Sequence, residues 1–425
     1  MPLLTLYRLA ASAALPLARP LLALRAAQGK EDPLRLGERL GYASLPRPEG
    51  RLVWLHGASV GESLSLLPLI ERFVARGVET LVTSGTTTSA KALAPRLPAG
   101  ARHQYAPLDA PRFCERFLVH WRPDLALFAE SELWPNLIRA AHRRGTPLAL
   151  VNARISIESA QRWSRLPGVA GKLFGMIDLC LAQDEGNAER FRALGAPRAR
   201  IAGNLKFDVA APPVDELKLA AFQSALGARP VFAAASIHPR EEPLILDAHQ
   251  EAARALPQLV SLVAPRHPAR GARILELAKE RGLSAELRST RDAPSSGAGI
   301  YVVDSIGELG LVFRAATVVF MGRSLAESGG HNPIEPAKLG CAVLHGPHVE
   351  DFAEIYGELD AAKGAARVLD APGLAKAVAY LLSEPARLRK MGRNAAGAIS
   401  KLGGASREIM TAIEPYLTQL SVERG

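Results

Sequence analysis

From residue 51 onward, short apolar runs alternate with stretches whose apolar positions recur at helical spacing. Residues 52–55 read as a buried strand, 62–76 as a helix closed by Gly77, 79–83 as the next strand, and 89–93 as a helix after a Thr-rich loop. Residues 124–129, 147–152 and 178–182 repeat the strand signal, each leading into polar loop residues and a helical stretch. The pattern restarts at 231–235, 258–264, 299–303, 318–321 and 342–344. Strands that are apolar throughout and separated by helices belong to parallel, doubly wound sheets. The expected fold is α/β, with two Rossmann-like domains facing one another across a cleft.

Between the two series, residues 208–213 carry Ala-Ala-Pro-Pro, a linker signal, and 208–224 is assigned as the connection. The first domain is then 31–207 and the second 225–405, while the helical stretch within 406–425 is expected to cross back onto the first. Residues 1–30 stand apart. They are rich in Leu and Ala, are interrupted by Pro16 and Pro20, and carry Arg8, Arg19, Arg25 and Lys30 with no acid before Glu31. Such a segment is suited to lie on an anionic membrane surface, and it has neither an unbroken spanning run nor a secretory cleavage site. The expectation is that it brings the protein to a membrane and does not build the core, with a short spanning anchor and an ordinary packed helix as the alternatives.

Length and composition narrow the function. A chain of 425 residues is too long for one ordinary core, and 48% hydrophobic residues supply two. Cys114, Cys180 and Cys341 are far apart, which suggests neither a disulfide framework nor a zinc site and fits a reducing compartment. The net charge of +10 calls for an anionic partner. Aromatics at 5% without a basic-aromatic stripe argue against nucleic acid, leaving phosphorylated lipid or a membrane surface.

In open α/β sheets ligands bind in loops after the strands. The loop around which the second domain is organised is Gly329-Gly330-His331-Asn332-Pro333-Ile334-Glu335. Two glycines let backbone N–H groups approach a ligand, and a helix starting at Pro333 would aim its positive end at a phosphate. Glu335 is placed to accept from sugar hydroxyls. Asn332 with Glu335 also reads as a plain capping box. Nearby loops offer Pro265 and Arg266, a planar fork for phosphate, and Ile306, Gly307 and Glu308, where Ser305 and Glu308 form a further capping pattern.

In the first domain the matching loop runs from His56 to Ser63. Glu62 is its carboxylate, favoured as the anion at a helix start and able to accept a proton, although Ser59 and Glu62 read equally as a cap. Glu130 and Glu132 end another strand, with Trp134 and Pro135 fixing the loop around Glu132. Lys206 is set either to reach an anion or to pair with Asp208. No metal-ligand spacing appears, so neither a metal nor a cofactor is called for.

Six ordered motifs carry a resemblance: HGASVGE (56–62), ESELWPNL (130–137), NARIS (152–156), GNLKFD (203–208), PRHP (265–268) and GGHNPIEPA (329–337). Over residues 34–420 the chain closely resembles the 3-deoxy-D-manno-octulosonic acid (Kdo) transferases of lipopolysaccharide synthesis. The resemblance implies the GT-B architecture, CMP-Kdo as donor, a lipid A precursor (lipid IVA) as acceptor, inversion at the anomeric carbon without a metal, and a place on the cytoplasmic side of the inner membrane. It also implies that Glu62 is the general base and Glu132 a charge-stabilising partner, with Pro265, Arg266, Ile306, Gly307, Glu308 and Asn332 to Glu335 around CMP. Ile237 and Arg240 depart from the family pattern, and Arg323 adds a cation beside the phosphate loop. A UDP-sugar transferase, a sugar epimerase and a non-catalytic nucleotide-binding membrane protein are the competing readings. The basic N-terminal segment counts against the epimerase.

Overall fold

The computed structural model describes residues 2–422. It divides into two compact units, residues 1–209 with 403–425 and residues 210–402. In the first unit β1 (Leu52–Gly57), β2 (Glu79–Ser84), β3 (Ala101–Tyr105), β4 (Leu125–Ala129), β5 (Leu148–Ala153), β6 (Leu179–Ala182) and β7 (Ala199–Ile201) form a parallel sheet of order β3-β2-β1-β4-β5-β6-β7. The second unit repeats this with β8 (Val231–Ile237), β9 (Val260–Pro265), β10 (Ala285–Leu287), β11 (Ile300–Val302), β12 (Val318–Met321), β13 (Ala342–His345) and β14 (Ala365–Arg367), in the order β10-β11-β9-β8-β12-β13-β14. Helices cover both faces, so central strands such as β1 and β4 are buried from end to end. Each unit is Rossmann-like.

Where the expected elements differ, local chemistry explains it. The stretch read as one helix over 62–76 is two, Val60–Ser65 and Leu67–Ala75, because Pro68 lacks the N–H needed to continue the first. The segment 208–224 is not a linker throughout. Glu216–Leu226 form a helix that buries Leu219, Phe222 and Leu226, and Asp215 caps it by accepting from the N–H groups of Leu217 and Lys218. The last helix, Ala405–Val422, buries Ile409, Met410 and Ile413 in the core of the first unit. Asp208 fixes its start by accepting from Gly404 and Ser406, both at 2.6 Å.

The N-terminal segment has two faces. Helices Pro2–Ala13 and Ala18–Ala27 and the turn Leu15–Leu17 between them expose Leu6, Leu9, Leu17, Leu21 and Leu24, yet Ala18 and Leu22 are buried with Leu40, Ala110 and Phe113. The Tyr7 hydroxyl donates to Asp109 Oδ2 at 3.0 Å. The segment therefore does contribute to the core of the first unit, contrary to its expected independence. The reason is Asp109, a buried carboxylate that also accepts from the N–H groups of Asn136 and Leu137. Among the described residues no single helix is long and apolar enough to cross a membrane. Leu3–Ala13 and Leu15–Ala27 meet that test only as a pair bent by 46°.

Candidate active site

In the first unit, β1 delivers His56 and Gly57 to the loop that starts the helix Val60–Ser65. A Cβ on Gly57 would lie 2.9 Å from the Ser63 nitrogen, so the tight turn requires glycine. The Ser59–Glu62 capping box forms. The Glu62 N–H donates to Ser59 Oγ at 3.3 Å, while Glu62 Oε2 accepts from Ala58 N at 2.9 Å and Oε1 from Ser59 Oγ at 2.7 Å. Cap and candidate base are thus one residue. Burial pushes the Glu62 carboxyl above the usual carboxylate range and the charges of Glu132 and Glu130 add to this, against the bonds from Ser59 and Ala58. Burial thus works against the anion that the helix start favours, and a helix of only six residues offers it little help.

Glu132 behaves oppositely. Burial works against its ionisation, but the nearby His56 ring, the Trp134 N–H and a hydrogen bond with Glu62 outweigh that and hold it below the usual range. Trp134 Nε1 lies 2.7 Å from Glu132 Oε2. The two carboxyls are thus pushed in opposite directions, Glu62 toward holding its proton and Glu132 toward the anion. Beside them Glu130 sits in the left-handed region (φ 53°) with Oε1 2.9 Å from Lys206 Nζ. Lys206 thus pairs with Glu130, not with Asp208. Asn152, also left-handed (φ 50°), accepts the Leu205 N–H on Oδ1 and leaves its buried Nδ2 without a partner.

The second unit builds a different rim. Pro265 ends β9, and the exposed Arg266 follows, its backbone N–H donating to the Ile237 carbonyl. Ile306 is 88% exposed and Gly307 is left-handed (φ 88°). Glu308 is not the third helical residue of a capping box. The helix is Leu309–Ala315, and the Glu308 carboxylate is gripped by Arg288, with Nη2 at 2.7 Å from Oε1 and Nε at 2.9 Å from Oε2. That guanidinium holds it below the usual carboxylate range.

The Asn332–Glu335 capping box does not form either. Pro333 itself precedes the five-residue helix Ile334–Lys338, and Asn332 Oδ1 accepts the Ile334 N–H at 3.0 Å. A helix this short supplies little dipole for the phosphate seat expected here. Gly330 (φ 72°) donates its N–H to the Arg323 carbonyl, and a Cβ on it would lie 3.1 Å from the Val349 Cα. His331 Nε2 is 3.1 Å from His238 Nε2, and burial together with His238, Arg266 and Arg323 pushes its pKa down to about 4. Arg323 pairs with Asp351 at 3.0 Å, so its charge is already engaged.

Sequence reasoning missed what holds this rim, Glu241. The carboxylate is fully buried and accepts from the N–H groups of Arg323 (2.6 Å), Ser324 (2.9 Å), Leu325 (2.9 Å) and His238 (3.2 Å). It ties the loop after β8 to the loop after β12. Its only signal in the sequence was an acid at a helix start.

Solved structures match this architecture. A putative UDP-N-acetylglucosamine 2-epimerase from Listeria monocytogenes covers 87% of this chain and 98% of its own, with a TM-score of 0.58 at 15% identity. A glycosyltransferase from Rickettsia africae gives 0.55 at 11%, covering 87% and 98%. At such identities the likeness speaks for the fold alone. Two Rossmann-like units of this kind are the GT-B class of fold, and the relatives by sequence make the chain a glycosyltransferase. A family profile described as 3-Deoxy-D-manno-octulosonic-acid transferase (kdotransferase) matches residues 34–209. The 3-deoxy-D-manno-octulosonic acid transferase of Haemophilus influenzae is 32% identical over 396 residues, 90% of this chain and 91% of that protein. That of Bordetella pertussis is 33% identical over 395 residues, 91% of each. The chain belongs to the 3-deoxy-D-manno-octulosonic acid transferase family.

Proposed function

We propose that the protein transfers Kdo from CMP-Kdo to a lipid A precursor with inversion, working at the cytoplasmic surface of the inner membrane. The observation that carries the mechanism is the carboxylate pair: Glu62 and Glu132 are half-buried, feel one another, and are pushed in opposite directions in proton affinity. Groups separated in this way are suited to acid–base work near neutral pH. Glu62 takes the proton of an acceptor hydroxyl as its oxygen bonds to the anomeric carbon. The bond from that carbon to the CMP phosphate breaks, and its electron pair leaves on the phosphate. Glu132 stays ionised and favours the positive charge that develops on the sugar ring.

The loops of the second unit are assigned to the nucleotide. Arg266 offers a free guanidinium for phosphate, and Gly307 and Gly330 offer close-approaching backbone. Ile306 has an exposed apolar face for a base, while Pro333, Ile334 and Glu335 line the same loop as His331 and Asn332. Membrane attachment is assigned to the exposed leucines at 6, 9, 17, 21 and 24, with Arg8, Arg19 and Lys30 for anionic headgroups. Incubation with CMP-Kdo and a detergent-dispersed lipid A precursor should yield a product heavier by one or more Kdo residues. Transfer from a UDP-sugar instead, or CMP release without a glycosylated lipid, would overturn the assignment.

A further inference from the structure

His56 is fully buried in β1 at the floor of the carboxylate pair, enclosed by Trp54, Phe128 and Trp134. Its Nδ1 is 2.9 Å from Thr83 Oγ1 on β2, and its Nε2 has no hydrogen-bond partner yet lies 3.8 Å from Glu132 Oε2. The direction of these contacts follows from one donor that has no choice. An indole nitrogen only donates, and Trp54 Nε1 lies 2.8 Å from Thr83 Oγ1, so the hydroxyl accepts there. Its own proton goes to His56 Nδ1 at 2.9 Å or to the Leu55 carbonyl at 3.4 Å. For a neutral ring the second arrangement would place the histidine proton on Nδ1 and leave Nε2, a bare acceptor, buried against a carboxylate. The first gives every group a complementary neighbour.

We propose that His56 is a positioning residue for Glu132: the Trp54–Thr83 relay fixes its tautomer so that Nε2–H faces the Glu132 carboxylate and keeps that carboxylate oriented as an anion beside Glu62. A small rotation of the carboxylate closes the 3.8 Å gap to hydrogen-bonding distance. The charged groups on this rim are Glu62 on the helix after β1, Glu130 and Glu132 in the loop after β4, and Lys206, which is paired with Glu130. None but Glu132 is recorded against Nε2. The proposal rests on the assignment of Glu62 and Glu132 to the transfer step for its kinetic consequence, but not for its geometry.

Two measurements separate those dependences. Nitrogen-15 NMR of the histidine-labelled full chain, with the His56 signals identified by their loss in His56→Gln, reports the tautomer directly. Protonated Nε2 is expected, and protonated Nδ1 overturns the proposal whatever reaction the protein catalyses. Kinetics then read the consequence. His56→Leu removes the donor, so the acid limb of kcat should move to higher pH by about one unit, with a loss of up to about tenfold on the acid side and little change in KM for CMP-Kdo. His56→Gln, whose amide N–H reaches the same place, should recover much of that loss. Thr83→Val, which leaves His56 and both carboxyls intact, should shift the limb in the same direction as His56→Leu. If His56→Leu keeps the wild-type pH profile, the positioning role is overturned. Should the wild type itself transfer no Kdo, the functional assignment fails while the tautomer measurement still decides the geometry.

Discussion

The two units share a topology and use their strand ends in opposite ways. At the rim of the first unit, carboxyl groups are left half-buried and incompletely neutralised: Glu62 and Glu132 face one another's charge, and Asn152 keeps an unpartnered amide nitrogen. At the rim of the second, most charges apart from the exposed Arg266 and Arg240 are paired. Glu241 accepts four backbone N–H groups, Glu308 is gripped by Arg288, Arg323 is paired with Asp351, and left-handed glycines set the loop path. An unsatisfied rim holds energy that a reaction can use, whereas a saturated one provides a rigid frame for binding.

The largest effect should come from the unsatisfied side. Glu62→Gln keeps the size of the side chain and part of the cap but cannot take a proton, and losing a general base costs about 10²- to 10⁴-fold in rate. CMP affinity should stay near wild type by calorimetry. The stability effect has the opposite sign. A carboxyl whose pKa is raised on folding binds more protons in the folded state, so its contribution to stability falls as pH rises from the ordinary carboxylate range through the folded value. Glu62→Gln should therefore melt no lower than wild type at neutral pH, and any gain should fade in acid. A large fall in Tm at pH 7 with near-normal turnover would reverse the roles given to the two rims.

On the saturated side the second-largest effect is structural. Glu241→Ala leaves four backbone N–H groups without an acceptor in a buried site, which costs about 3 kcal/mol or more. Thermal melting should show that loss, together with weaker CMP binding as the loop after β12 is released. An unchanged melt would mean that water replaces the carboxylate and that the frame is less rigid than it reads. Gly330→Ala tests the same loop more gently. A left-handed φ of 72° and a Cβ 3.1 Å from Val349 predict about 1–3 kcal/mol of strain, read as weaker CMP affinity with Glu62 chemistry intact in a saturating-donor assay.

The same contrast explains what was legible in the sequence. Central strands such as β1, β4 and β12 are buried on both faces and stand out as apolar runs. The four strands that went unread, β3, β7, β10 and β14, are the outermost strand at each edge of each sheet. They are short, partly solvated, and carry Arg102, Arg200, Glu286 and Arg367, so pairing and not hydrophobicity defines them. Of three capping patterns, only Ser59–Glu62 closes. At Asn332 the helix starts one residue later than expected, after Pro333, and at Glu308 a distant arginine takes the carboxylate. Partners 20 or more residues away leave no local trace. His56, Thr83 and Glu241 were hidden for this reason, since each reads as part of a strand or a cap until its partners are in view.

The smallest predicted effect asks how far the first rim extends. Tyr7, on the N-terminal helix, donates to Asp109, and Asp109 also accepts from the first N–H groups of the helix Pro135–Arg143, which directly follows the Glu132 loop. Tyr7→Phe removes that single donor. Asp109 keeps its two backbone donors, so the loss should be about 1 kcal/mol, visible as a small fall in Tm. Because Tyr7→Phe leaves every exposed leucine in place, binding to anionic vesicles should not change. Leu17→Ser with Leu21→Ser should do the reverse, weakening vesicle binding while leaving Tm in place. If Tyr7→Phe instead weakens vesicle binding as much as the leucine pair does, the segment does not have separate structural and membrane faces. A change in CMP affinity for Tyr7→Phe would show that the two units do not keep their tasks apart.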